Sequence, residues 1–358
     1  MSALEPPYGA RDSGGMAARI ERIPEQIEDA LARLEADPWR LPPSSPDLVA
    51  VGGLGGSAIA AELTASLHAD RLPRPLLVVR EYRWPACVGP RSLAVLSSYS
   101  GNTEETLALE AEARARGVPR AAITTGGTLA ERCREHRVPT ALIAGGSPPR
   151  AALFSNWVTL EALLHALGWI DDPRPAWREA ADRLRARNAT LAPAVPEDRN
   201  PAKQLARALH GRLPFVYGAS ERVAAVGTRW RHQLNENAKL LGHSAAVPEL
   251  NHNEIVGWER PGAIHRLTSV LILRDREDSP AAARRLTLTA DWVREQGAPV
   301  HEIVSEGESR EARMASLVQF GDYVSLYLAL LAGADPTPIP SIDAFKRRLA
   351  EAGSPDDR

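Results

Sequence analysis

Residues 48–63 read LVAVGGLGGSAIAAEL, and the rest of the chain can be read outward from this stretch. Leu48–Val51 is an apolar run of strand length, the glycines at 52, 53, 55 and 56 make a turn, and Ser57 onward has helical composition. A short, uninterrupted apolar strand that opens a helix through a glycine turn is the unit of a parallel sheet covered on both faces. The same alternation continues on the C-terminal side. Apolar runs PLLVVREY (75–82), LAVLSSYS (93–100), RAAITTGG (120–127) and TALIAGG (140–146) are separated by helical segments, one of them spanning 103–116. After a Pro-rich segment ending near residue 200 the plan restarts, with LPFVYGAS (213–220), SAAVPEL (244–250), RLTSVLILRD (266–275) and VHEIVSEG (300–307). The string FVYGASERVAAVGTRW (215–230) has the same layout as 48–63, a strand ending in a Gly/Ser turn that opens a helix. This predicts a tandem duplication of one nested α/β unit. On the N-terminal side, residues 16–35 carry apolar positions at near-helical spacing interrupted by Pro24 and read as leading helices. The expected organisation is an N-terminal helical segment (1–40), a first α/β domain (41–165), a helical linker (166–200) and a second α/β domain with C-terminal helices (201–358).

The chain has 358 residues, 43 basic and 45 acidic side chains and a formal net charge of -2. That balance lacks the basic footprint of a nucleic-acid binder. No apolar run marks a secretory leader or a membrane span, so the reading is cytoplasmic, with no membrane partner. Cys87 and Cys133 follow no metal or disulfide spacing and read as buried thiols. Only three of the basic residues are lysines, Lys203, Lys239 and Lys346. Arginine does not replace lysine where a compact, titratable ammonium is needed, which singles these three out.

Three constellations carry chemistry. In the first, Gly53, Gly55 and Ala58 satisfy G-x-G-x-x-A, with Glu81 after the next strand as a possible ribose-binding acid. The physics guarantees less, an anion site of free N–H groups at a helix N-terminus. The second, SSYSGNTEE (97–105), places the hydroxyls of Ser98, Ser100 and Thr103 around one turn before another helix. Hydroxyls plus backbone donors suit the several oxygens of one phosphate monoester, which a dinucleotide site does not require; an ordinary N-cap at Thr103 is the bland alternative. The third is RWRHQLNENAK (229–239) with PELNHNE (248–254), which together hold four of the eight asparagines of the chain. Amides in that density indicate a polar site rather than a solvated helix face. His232 and Glu236, at i,i+4, lack a third residue at metal spacing.

GGSA (55–58) and SYSGNTEETL (98–107) resemble the sugar isomerase (SIS) domain, and the two-domain plan is similar to the bifunctional phosphoglucose/phosphomannose isomerase family. The resemblance implies two tandem SIS-type nested α/β/α domains with parallel sheets. It implies that Gly55, Gly56, Ser57, Ser98, Ser100 and Thr103 hold the phosphate of a sugar phosphate. Through NENAK and PELNHNE it implies that Glu236 moves a proton between C2 and C1 and that His252 assists ring opening. The segment PRAAL (149–153) implies that Arg150 stabilises an enediolate, and Lys346 matches a lysine near the C-terminus that helps open the ring. The implied reaction interconverts glucose 6-phosphate, and mannose 6-phosphate as a second aldose, with fructose 6-phosphate. It uses no redox cofactor and no metal, and the family expectation is a homodimer in which one subunit can complete the other's site. Two other classes compete. A catalytically silent sugar-phosphate sensor would keep the serines and could lose the base. A nicotinamide-dependent dehydrogenase would use the first glycine turn and leave the other two constellations unexplained.

Overall fold

A computed structural model describes residues 3–41, 45–260 and 262–352; the remaining positions of the expected domain ranges lie outside the described residues. The chain opens with α1 (Met16–Glu21) and α2 (Ile23–Ala36), and Pro24, read as an interruption, sits in the first turn of α2. Proline has no N–H to satisfy there, so it starts the helix without a penalty. The first α/β unit follows as β1 (Leu48–Gly52), α3 (Gly55–Leu67), β2 (Leu76–Val79), β3 (Ser92–Ser98), α4 (Glu104–Ala115), β4 (Arg120–Thr124), α5 (Gly127–Glu135) and β5 (Thr140–Leu142). All five strands are parallel, in the order β2-β1-β3-β4-β5.

Three helices, α6 (Leu153–Ala166), α7 (Arg174–Leu191) and α8 (Pro201–Leu209), lead into the second unit. It runs through β6 (Leu213–Ala219), α9 (Ala224–Glu236), β7 (His243–Val247), α10 (Ala263–Leu267), β8 (Thr268–Arg274), α11 (Pro280–Glu295) and β9 (Val300–Val304). Its four parallel strands are ordered β7-β6-β8-β9, the order of the first four strands of the other sheet. The two sheets therefore repeat one winding, as the duplicated Gly/Ser turns predict. The chain ends in α12 (Arg310–Leu331) and α13 (Pro340–Ala352).

Burial follows the strand pleat. Val49 and Val51 face the inner layer with Ala61, Leu160 and Leu164, while Leu48 and Ala50 face the outer layer with Leu109 and Cys133. Strands buried on both faces read as continuous apolar runs for this reason. Between the sheets, one core joins α2, α3, α6, α7, α8, α9 and α12. By length and hydropathy α12 could span a membrane, yet nearly all of it is buried inside the protein as the central helix of this core. Of the two cysteines, Cys133 is buried as expected; Cys87 is not, lying exposed in the loop between β2 and β3.

Strand order 2-1-3 puts the turns after β1 and β3 side by side where the chain reverses direction across the sheet. In open α/β sheets that switch point, outside the strand C-termini, is where ligands bind.

Candidate active site

The two turns are locked together by close backbone approach. Gly52 pairs with Leu96 in the β1–β3 register, so Gly53 comes against the next residue, Ser97; a Cβ on Gly53 would lie 2.5 Å from its carbonyl oxygen. A Cβ on Gly56 would lie 2.9 Å from the carbonyl oxygen of Pro149, and Gly55 has φ +53°, the left-handed region open to glycine at little cost. Glycine here brings three separate segments to one point. Among the described residues no side chain caps the N-terminus of α3 or α4; Ser57 N bonds to the Leu54 carbonyl at 3.1 Å, and the other first-turn donors are open to an anion. Ser57 is buried in the first turn of α3. Ser98 Oγ lies 2.8 Å from Thr103 Oγ1 and accepts from Gly101 N at 3.2 Å, and Ser100 Oγ accepts from Asn102 N at 3.2 Å. Thr103 occupies the N-cap position of α4, but its hydroxyl engages Ser98 instead of capping, contrary to the bland reading. Glu81, the acid of the dinucleotide reading, sits in an exposed bend after β2.

Beside these turns lies a charge pair. Arg150, in a short 3-10 helix Pro149–Ala152, is 3% exposed, and its Nη1 lies 3.5 Å from Glu236 Oε2 at the end of α9. The guanidinium is held on every other side. Nε donates to Asn237 Oδ1 at 2.8 Å, and Nη2 donates to the carbonyls of Pro336 and Thr337 at 2.6 and 2.8 Å. Asn237 Nδ2 in turn donates to Ser325 Oγ at 3.0 Å. Beneath it, buried Arg229 donates to the Arg150 carbonyl at 2.8 Å and to both oxygens of Asp322 at 3.1 and 3.0 Å, and Gln233 Nε2 donates to Asp322 at 2.9 Å. Burial raises the Asp322 carboxyl above the usual range, opposed by Arg229. Burial also pulls Arg150 down, and the facing Glu236 carboxylate pulls it back up. Guanidinium stays charged under both influences, so the site presents a fixed cation 3.5 Å from a partly exposed carboxylate.

Lys239 completes this side. It adopts φ +55° where α9 ends, and its Nζ donates to the Glu236 carbonyl at 2.6 Å and the Pro336 carbonyl at 3.3 Å. Desolvation lowers its pKa, followed by repulsion from Arg150. The left-handed turn of a non-glycine residue is uncommon and here lets the ammonium fold back onto the helix end.

The structure thus gathers Gly55, Gly56, Ser57, Ser98, Ser100 and Thr103 at the two turns, with Arg150 and Glu236 beside them. It does not gather His252 or Lys346. Glu236 ends α9 just before β7, whereas His252 lies in the 3-10 turn Glu249–His252 just after it. One strand of five residues, about 15 Å, separates them. A spacing of 16 residues does not make a two-sided site within one chain. The His252 side chain is exposed and makes no hydrogen bond or ion pair among the described residues. Lys346 is exposed on α13, whose described side chains are almost all turned to solvent. No sequence motif singles out Asp322 or Ser325; the signal they leave is a carboxylate and a hydroxyl inside an otherwise apolar helix. His232, the neighbour of Glu236 on α9, is driven down to about 4 by burial and then by Arg231 and Arg229, so it is a neutral imidazole at pH 7.

Residues 198–349 match the family described as bacterial phospho-glucose isomerase C-terminal SIS domain. Over 336 residues, 94% of this chain and 99% of the relative, the sequence is 40% identical to a bifunctional phosphoglucose/phosphomannose isomerase of Caldicellulosiruptor bescii. The chain belongs to the bifunctional phosphoglucose/phosphomannose isomerase family. A second member, from Aquifex aeolicus, is 32% identical over 83% of this chain and 88% of its own length. Among solved structures, the tagatose-6-phosphate ketose/aldose isomerase of Escherichia coli superposes with a TM-score of 0.70 at 14% identity, covering 92% of this chain and 98% of that one. A glucose-6-phosphate isomerase like protein of Thermus thermophilus gives 0.61 at 20% identity, covering 95% and 99%. At those identities the likeness concerns the fold, and it covers both sheets of this phosphoglucose/phosphomannose isomerase family member.

Proposed function

We propose that this chain interconverts glucose 6-phosphate and mannose 6-phosphate with fructose 6-phosphate. The observation that carries the reading is the fixed Arg150 guanidinium facing the Glu236 carboxylate at 3.5 Å, beside two uncapped helix N-termini ringed with hydroxyls. The turns at Gly55–Ser57 and Ser98–Thr103 hold the phosphate, and that remote binding energy positions C1 and C2 over Glu236. Glu236 takes the proton from C2 of the open aldose while the C1 carbonyl oxygen gains a proton, giving a cis-enediol. Glu236 then returns its proton to C1 and the C2 hydroxyl loses one, giving the ketose. Arg150 stabilises the oxyanion that develops between these steps; because three hydrogen-bond acceptors already fix it, no reorganisation accompanies the charge. The reaction is an internal redox exchange and uses no cofactor.

The positions of His252 and Lys346 shape the rest of the proposal. His252, on the far end of β7 from its own Glu236, serves the Glu236 of a second copy, so the working unit is a homodimer. Lys346 opens the sugar ring when α13 folds over the bound substrate. The protein acts in the cytoplasm on a small sugar phosphate, without nucleic acid or membrane. Incubation with fructose 6-phosphate, followed by separate enzymatic detection of glucose 6-phosphate and mannose 6-phosphate, tests the activity. Both products are expected. Glucose 6-phosphate alone would restrict the reading to one aldose, and neither product with retained sugar-phosphate binding would make the protein a silent sensor or an isomerase of another phosphosugar.

A further inference from the structure

A second polar cluster lies deep in the helical layer, away from the sugar-phosphate site. His68 ends α3, Glu161 lies in α6 and Glu311 in the first turn of α12, with exposures of 4%, 0% and 9%. One potential ligand atom from each residue lies within 4.8 Å of the others. The Glu161 carboxylate is pinned from both sides, Oε1 accepting from the Trp157 indole and Oε2 from the Trp177 indole, each at 2.8 Å. His68 Nε2 lies 3.4 Å from Glu161 Oε1 but outside hydrogen-bonding alignment, and it is a buried nitrogen with no hydrogen-bond partner among the described residues. Arg71, exposed, also acts on His68 and Glu311 through its charge, yet forms no ion pair with either among the described residues.

Two buried carboxylates beside one imidazole, whose Nε2 meets Glu161 only at 3.4 Å, form a cluster that a cation placed between them would stabilise. We propose that His68, Glu161 and Glu311 bind one divalent ion of the zinc class. One imidazole nitrogen with two carboxylate oxygens is a donor set for a borderline first-row ion; hard ions such as magnesium and calcium prefer oxygen alone. Glu161 already has the outer support that metal carboxylates receive, its orientation fixed by two indole N–H donors. The ion is structural. It ties the C-terminal end of α3 and the middle of α6 to the start of α12, which follows the second sheet in sequence. Each of these helices carries part of the sugar-phosphate site elsewhere: α3 begins at the Gly55 turn, α6 follows the Arg150 segment, and α12 bears Asp322 and Ser325. The staple stands independently of the substrate assigned above.

The test uses the full chain without a tag, stripped with a chelator, reloaded with Zn²⁺ and dialysed. One zinc per chain should be retained, with a melting temperature several degrees above that of the stripped protein. Retention should fall about tenfold or more in His68→Asn and Glu311→Gln, and also in Trp177→Phe, which keeps every ligand and removes one supporting donor. Should a variant fail to fold, Co²⁺ titration of the stripped wild-type protein decides: visible ligand-field bands that saturate at one equivalent support the site. The proposal is overturned if dialysed protein holds no zinc and Co²⁺ gives no bands, or if the folded variants retain zinc as wild type does.

Discussion

Arg150 has no freedom to choose its position: four groups from two distant parts of the chain, Glu236 with Asn237 and the carbonyls of Pro336 and Thr337, define where its guanidinium lies. Replacing Asn237 with Ala removes the acceptor of Nε and leaves every proposed reacting group in place. We expect kcat to fall by about 10²-fold with little change in KM, because a misplaced cation costs transition-state stabilisation and leaves the phosphate turns intact. A parallel loss in KM, or unchanged kcat, would reject this positioning role. Replacing Glu236 with Gln keeps size and polarity but removes the proposed base. Turnover should drop by about 10³-fold, while sugar-phosphate binding measured by calorimetry is retained. At this scale the three lysines also part company. Lys203, without an assigned role from the sequence, is fully buried, donating to the Pro193 carbonyl at 2.9 Å and pairing with Glu5 at 3.2 Å over the Tyr327 ring. Lys239 locks the end of α9 to the Pro336 strap. The scarcity of lysine therefore pointed at two fixed ammonium groups, those of Lys203 and Lys239, whereas Lys346 lies exposed on α13.

At the scale of the element, α9 does most to set the site. Its buried face carries Arg229 and Gln233 toward Asp322, its last residue is Glu236, and its third turn holds His232. The pKa of His232, about 4, lies below the ordinary value of 6.5, so between these values the unfolded chain binds a proton that the native helix does not. Stability contributed by the neutral imidazole is present above pH 6.5 and is lost as pH falls toward 4. Chemical denaturation of wild type should show a loss of up to about 3 kcal/mol over that window which His232→Gln lacks, since Gln cannot charge. Identical pH profiles would show that another group governs acid sensitivity. The elements themselves were legible from their sequences, because a glycine turn after an apolar run and a proline at the start of a helix act locally. The asparagines at 235–237 likewise flagged a polar site in place of a surface face. Asp322 and Ser325 were hidden by their surroundings: in a helix that reads as pure core, a polar residue acquires meaning only from what packs against it.

At the scale of the whole molecule, the separation of Glu236 and His252 across β7 makes a direct prediction for mixed oligomers. Glu236→Gln and His252→Asn should each be nearly inactive alone. If one copy supplies the carboxylate and the other the imidazole, half of the randomly reassorted dimers carry one intact site, restoring about one quarter of wild-type activity. No recovery after verified subunit exchange would place both groups in one chain and refute the shared site.

The sequence by itself determined the duplicated α/β architecture, the glycine and serine turns after β1 and β3, and the strings that carry Glu236 and Arg150. Those features are written in contiguous strings, since a turn, a strand or a helix start depends on residues a few positions apart. Only the tertiary structure decided how Arg150 is held, that His252 stands away from its own Glu236, and that His68, Glu161 and Glu311 meet in the core. Each of those facts depends on which helix face packs against which across both sheets, and residues brought together over more than 80 positions leave no local pattern to read.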